Sequence, residues 1–74
     1  MAKSLKDQLM SEKKTTKFCN ILESLGYFYD RKSGSHMIYI GEGLPTLSIP
    51  EKREIAPGTR RDIVKLVLGS SYYN

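Results

Sequence analysis

The apolar residues of this chain change from helical to strand spacing and back to helical spacing within 74 residues. Apolar side chains at positions 18, 21, 22 and 25 recur at the interval of one helix face. Gly26 follows directly and suits the left-handed residue that often ends a helix. Thr15 and Thr16 precede the stripe, and either could cap its first turn. The pattern predicts a helix that begins near residue 15 and ends at about residue 25.

Three short β-rich runs follow this helix and are separated by turn residues. The first, 27–31, is aromatic, and the turn after it contains Gly34, which is free to take a positive φ. The second run is 35–40, and the third, 46–49, alternates polar and apolar residues before Pro50. We expect the first two runs to form a hairpin and all three to pair as antiparallel strands.

A second helical pattern follows the third run. Pro57 suits a first helical position, an apolar stripe continues through residues 63–68, and Gly69 ends it. The order is α-β-β-β-α, an α+β fold with two helices packed on one face of a three-stranded antiparallel sheet. The predicted domain is 15–69, preceded by a polar flexible leader or marginal helix at 1–14 and followed by a tail at 70–74.

The composition excludes several classes of protein. A chain this short buries only about 60–65% of its unfolded surface, so its core is thin. The single cysteine, Cys19, permits no intramolecular disulfide, and one cysteine with one histidine cannot form an ordinary four-ligand zinc site. We expect no metal or cofactor. With no apolar run near the roughly 20 residues of a membrane span and no signal-peptide pattern, we expect a soluble, cytoplasmic protein.

The net charge allows a polyanionic partner. Twelve Lys and Arg against eight Asp and Glu give a formal charge of +4. Cations near phosphates release condensed counterions, which favours binding to nucleic acid. The same charge can serve solubility alone, so it does not by itself identify RNA as the partner.

Four blocks of the sequence resemble the HicA toxins, also called YcfA-like proteins. In chain order the blocks are Leu25-Gly26-Tyr27-Phe28, Arg31 with Gly34-Ser35-His36, Leu47-Ser48-Ile49-Pro50, and Pro57-Gly58-Thr59-Arg60-Arg61-Asp62-Ile63. The resemblance runs from about residue 15 to residue 69. It implies a fold similar to a double-stranded-RNA-binding domain and a toxin that cleaves mRNA with a histidine of the second strand. It also implies silencing by an antitoxin, HicB, which covers that histidine; here the matching residue is His36.

The chain departs from the family pattern at several positions. Met37 follows His36 where many members have a second histidine, and Glu51-Lys52-Arg53 follow Pro50 where relatives often have one. Arg60 stands where a leucine is frequent, and the leader is longer than usual. His36 is therefore the only imidazole, which argues against a mechanism that needs two.

The chemistry of RNA cleavage suits His36. A ribose 2′-hydroxyl attacks the neighbouring phosphate when a base accepts its proton, and the leaving 5′-oxygen needs a proton in return. Imidazole titrates near working pH and can do such work as a general acid or base. Arg31, Lys32 and Ser35 are close to His36 in sequence and are the predicted phosphate-side residues.

A buried strand histidine is the plainer interpretation of His36. It shares strand parity with Ile38 and Ile40, so if these isoleucines face the helices, His36 points inward. A position at the very start of the strand, or a bulge at Gly34-Ser35, would free it.

Arg60 and Arg61 are predicted RNA-binding residues in the first turn of the last helix, with simple exposure as the alternative. The helix dipole disfavours cations there, and a bound phosphate would offset this. Tyr27, Tyr29 and Tyr39 could stack on unpaired bases or pack across strands. If Phe28 packs on the helices, Tyr27 and Tyr29 lie on the open side of the sheet.

Two other classes of function stay open. One is a non-catalytic RNA-binding or protein-interaction module on the same fold. The other is a small regulatory factor of phage or plasmid origin that acts only by binding another protein.

Overall fold

The computed structural model describes residues 5–69, so residues 1–4 and the predicted tail at 70–74 lie outside the described residues. The elements, in chain order, are α1 (Leu5–Ser11), α2 (Thr15–Ser24), β1 (Phe28–Ser33), β2 (His36–Ile40), β3 (Leu47–Pro50) and α3 (Pro57–Gly69). The strands form one antiparallel sheet in the order β1-β2-β3. The predicted α+β fold with the order α-β-β-β-α is confirmed, and α1 precedes it.

Helix α2 forms where the apolar stripe predicts it. Phe18 and Leu22 are fully buried, and Gly26 takes a φ of 103° just beyond the helix. The threonine cap is wrong, because the N-cap residue is Lys14 and no side chain caps the helix. The Thr15 hydroxyl donates instead to the carbonyl of Lys52, which ties α2 to the segment after β3.

Helix α1 lies within segment 1–14, for which the sequence predicts either a flexible leader or a marginal helix. It packs against α3 and α2. Leu9 is fully buried, and Met10 is partly buried against the same core. Leu9 therefore finds apolar partners that the local sequence does not reveal.

A short backbone pairing follows α1 and connects it with the segment between β3 and α3. Lys14 and Glu54 form an isolated antiparallel bridge. The amide of Thr15 donates to the carbonyl of Arg53 at 3.0 Å, and the amide of Ile55 donates to the carbonyl of Lys13 at 2.9 Å. Segments 13–15 and 52–55, far apart in sequence, therefore lie side by side.

The two faces of the sheet differ. On the helix side, Tyr39, Leu47 and Ile49 join the core, and Met37 packs against it. Ile38 is only 9% exposed but is not part of that core, since it alternates with these residues on the strand. We call the side turned away from the described helices the open face. By strand pairing and alternation it comprises Phe28, Arg31, Ser33, His36, Ile38, Ile40, Ser48 and Pro50.

Candidate functional site

His36 is the first residue of β2 and is exposed. Its cross-strand neighbours are Ser33 on β1 and Pro50 on β3, so it lies at the end of the sheet beside the first hairpin turn. The expected alternation holds, but the isoleucines do not face the helices as the plainer interpretation required. Met37 and Tyr39 take that side, so His36, Ile38 and Ile40 all belong to the open face.

A bulge in β1 determines which side chains accompany His36. The register shifts between Tyr29 and Arg31, leaving Asp30 without a directly paired residue on β2. After this shift Arg31 pairs with Ile38, so strand pairing assigns Arg31 to the open face. Without the extra residue, Arg31 would share the helix-side face with Tyr29. The bulge lies at Asp30 and not at Gly34-Ser35, which form a tight turn with Gly34 at a φ of 60°.

Two ion pairs hold the cations of the hairpin. Arg31 pairs with the neighbouring Asp30. Lys32 lies on the helix side, opposite Met37, and its Nζ is 2.9 Å from Oε1 of Glu51. The hydrogen bond and charge of Glu51 raise the pKa of Lys32. Both pairs are exposed, so each adds little stability, and an incoming phosphate can compete for these cations.

Ser35 is exposed in the turn directly before His36. Its carbonyl accepts a hydrogen bond from the amide of Glu51 at 2.8 Å. This contact ties the turn to the end of β3. By strand pairing Arg31 shares the open face with His36, and Ser35 directly precedes it, whereas Lys32 lies on the other face of the sheet.

Arg60 does not join this cluster. It is 8% exposed, and its Nη1 donates to the carbonyls of Glu12 and Ile55 at 3.4 and 3.3 Å. Its Nε is buried and has no hydrogen-bond partner within the described part of the chain. This burial argues against a freely exposed RNA contact by Arg60. Arg61 is exposed on α3.

The tyrosines divide between core and surface. Tyr27 is buried, and its hydroxyl donates to the carbonyl of Pro45 at 3.0 Å. Tyr39 is buried beside Cys19, whereas Tyr29 is half-exposed and meets Tyr39 edge-on at 5.9 Å. Phe28 is 53% exposed and is not part of the core, so the condition under which Tyr27 and Tyr29 would lie on the open side is not met.

Sequence reasoning missed a set of cations beyond the end of β3. Two neighbouring cavities share Lys52 in their linings. The first also contains Lys14, Arg53 and Glu51, and the second contains Lys13, Glu54 and Arg60. We call these two cavities together the basic groove; its cations are Lys13, Lys14, Lys52, Arg53 and Arg60. The lysine pair and the Glu51-Lys52-Arg53 run are visible in the sequence, but only the pairing of segments 13–15 and 52–55 brings them together.

These features define a class of protein: a small α+β domain that presents its one histidine, with cations nearby, on the open face of a three-stranded sheet. The model of one protein family, described as the HicA toxin of bacterial toxin-antitoxin, matches residues 15–67. The chain belongs to the HicA toxin family. No curated protein and no solved structure gives a significant match. None of the described helices is long and apolar enough to cross a membrane.

Proposed function

We propose that the protein is the toxin of a toxin-antitoxin pair and an endoribonuclease that cleaves mRNA, with His36 as its general acid and base. Membership of the HicA toxin family supports the toxin assignment. One observation carries the enzymatic part of the proposal: the chain's single imidazole is exposed at the end of β2, beside a cationic hairpin. A phosphodiester can reach a ring in that position from solvent.

The reaction needs one nucleophile and two proton transfers. The imidazole of His36 accepts the proton of a ribose 2′-hydroxyl, and the 2′-oxygen forms a bond to phosphorus. The bond to the 5′-oxygen breaks, and the leaving oxygen takes a proton, so the products are a 2′,3′-cyclic phosphate and a 5′-hydroxyl. A single imidazole can accept the first proton and return it in the second step. Positioned proton transfer of this kind contributes roughly 10²–10⁴-fold to the rate.

The negative charge of the transition state needs fixed donors. Arg31 and Ser35 supply a guanidinium and a hydroxyl on the side of His36. Lys32, which lies on the other face and pairs with Glu51, contributes positive charge at the same end of the sheet. Such donors act on the charge that develops on the phosphoryl oxygens. Arg61 lies on α3 rather than on the sheet beside His36, so we assign it to longer-range attraction of RNA.

An antitoxin of the HicB type is the proposed protein partner. The open face carries apolar side chains together with His36, including the exposed Phe28 and the edge residue Pro50. An apolar area of this kind favours protein contact. A partner bound there would cover His36 and stop cleavage.

Expression in a bacterial host tests the nuclease. The wild-type chain should arrest growth and cause mRNA decay, and His36→Ala should do neither. Asn20→Ala, an exposed change on α2, is the matched control and should behave like the wild type. Purified wild-type protein should also cleave RNA in EDTA and leave 2′,3′-cyclic phosphate ends. Equal, harmless behaviour of the wild type and His36→Ala would refute the proposal.

A second candidate is a non-catalytic RNA-binding or protein-interaction module. One observation favours it: among the described residues, no side chain hydrogen-bonds to the His36 ring to fix its tautomer. This candidate predicts salt-dependent retention of RNA without cleavage, and absence of both activities would exclude RNA as the ligand.

A further inference from the structure

The basic groove concentrates positive charge away from the ion pairs of the hairpin. Among the described residues, the ion pairs are those of Arg31 and Lys32, so no groove cation has a carboxylate within salt-bridge distance. Glu51 lines the groove but is paired with Lys32, which leaves Glu54 as its one unpaired carboxylate. Five cations against two carboxylates, one already neutralised, make the groove a strongly positive concave surface. Such a surface attracts a polyanion.

Arg60 gives the groove a fixed charge at the α3 end. Its side chain is more than nine-tenths buried, and neutral carbonyls are the acceptors of its Nη1. A buried guanidinium with an unpartnered Nε is costly unless a counter-charge lies nearby. An anion in the second cavity, which Arg60 lines, would supply that counter-charge.

The groove begins at the end of the sheet where His36 lies, and Met37 in the lining of its first cavity places it on the helix side, around that end from His36. Pro50 is the cross-strand neighbour of His36, and Glu51 is both the next residue and a lining residue of the first cavity. Lys52 then belongs to both cavities, so the cations form a connected path from the end of the sheet to the start of α3. A chain of regularly spaced phosphates can follow such a path, whereas a single small anion would occupy only one cavity.

We infer that the basic groove binds the sugar-phosphate backbone of a single-stranded RNA on one side of the phosphodiester that lies at His36. That the polyanion is RNA rests on the proposed function. The groove has lysines and arginines on a backbone-paired scaffold and no cluster of exposed aromatic rings, so it holds phosphates without reading bases. Lys13 and Lys14 precede residue 15, where the family match begins. The leader therefore adds charge that the family model does not include.

The test is a binding measurement that does not depend on cleavage. A fluorescent single-stranded RNA with 2′-O-methyl riboses is titrated with full-length protein carrying His36→Ala, and anisotropy is followed at several salt concentrations. A plot of log K against log salt has a negative slope, and each phosphate contact contributes about 0.7 to its steepness. The double change Lys52→Gln/Arg53→Gln should therefore make the slope less steep by about 1.4. At 0.1 M salt this corresponds to a loss of affinity of roughly 10–30-fold. Lys14→Gln alone should give about half the change in slope.

The control is Lys17→Gln/Lys65→Gln, which removes the same charge from exposed positions of α2 and α3 outside the groove. It should change the slope little. Unfolding midpoints identify any variant that fails to fold; the Lys52 carbonyl that Thr15 contacts belongs to the backbone and is retained. Equal losses for both double variants, or no salt-dependent binding at all, would overturn the inference.

The two proposals can fail separately. If the wild type cleaves RNA while the groove variants keep the salt slope of the parent, RNA binding by the groove is refuted and the nuclease proposal holds. If the groove variants lose affinity in a protein that never cleaves RNA, the groove stands and the nuclease is refuted.

Discussion

Replacing Leu9 with alanine measures how much α1 contributes to the folded domain. Leu9 is 0% exposed, although it belongs to a helix of only seven residues in a polar segment. A helix this short is marginal in isolation, so its stability must come from packing on α3 and α2. Among the α1 side chains that the structure describes, Leu9 is buried in the core and Met10 packs partly against it.

The expected magnitude follows from full burial. Leucine-to-alanine changes at such positions cost about 2–5 kcal/mol, because transfer free energy is lost and a cavity remains. A domain of this size has a total stability of roughly 4–11 kcal/mol, so the change removes a large fraction of it. A loss of about 3 kcal/mol lowers the thermal midpoint by roughly 12–24 °C. The cost cannot exceed the free energy with which α1 docks, since α1 can undock while the rest stays folded.

Urea and thermal unfolding followed by circular dichroism give the measurement. Lys6→Ala is the control, because Lys6 is exposed on the same helix and the change introduces the same residue. The free energy of unfolding of this variant should lie within about 0.5 kcal/mol of that of the parent protein. If Leu9→Ala costs no more than Lys6→Ala, α1 is not docked and the reasoning from burial is refuted.

Two further predictions concern buried polar groups. Arg60→Ala leaves the carbonyls of Glu12 and Ile55 without their donor, so the free energy of unfolding in urea should fall by about 1–3 kcal/mol. The exposed Arg61→Ala is the control and should lower it by about 0.5 kcal/mol or less. Equal effects of the two changes would contradict the burial of Arg60. Burial raises the pKa of both Cys19 and Tyr39, whose ordinary values are 9.0 and 10.0. Each protonated group contributes its full stabilisation at pH values below its ordinary pKa. Above that pKa the free energy of unfolding falls by about 1.4 kcal/mol per pH unit for each group, until the pH reaches the raised pKa of the folded state. Unfolding free energies between pH 8 and 11 should therefore fall, and less steeply in Tyr39→Phe; an unchanged slope in that variant would refute the assignment.

The helices and turns follow from local sequence. The stripe of α2 and the glycines at 26 and 34 need no distant partner, and both glycines take the positive φ that their positions predict. Pro57 and Gly69 bound α3 as their backbone preferences indicate. The threonine cap failed because the hydroxyl of Thr15 finds a carbonyl 37 residues away, which no local pattern contains.

The faces of the sheet could not be predicted in the same way. Alternation correctly groups His36 with Ile38 and Ile40, but it does not say which side of the sheet the group faces. The choice follows from tertiary packing, because Met37 and Tyr39 have the helices opposite them. In β1 the aromatic run has no polar-apolar alternation, and the irregularity at Asp30 changes the parity of the residues after it. The composition of the open face around His36 depends on that one extra residue.

The leader combines two physical roles that a deletion would confuse. Leu9 completes a thin core, and Lys13 and Lys14 contribute to the basic groove, yet all three precede the family match. Removing the whole segment would lower stability and RNA affinity together, and the loss of affinity could then reflect unfolding alone. Point changes separate the roles, because Leu9 is buried and uncharged while Lys14 is exposed and charged. Leu9→Ala should lower the unfolding midpoint without changing the salt slope of RNA binding by the folded protein, and Lys14→Gln should do the reverse.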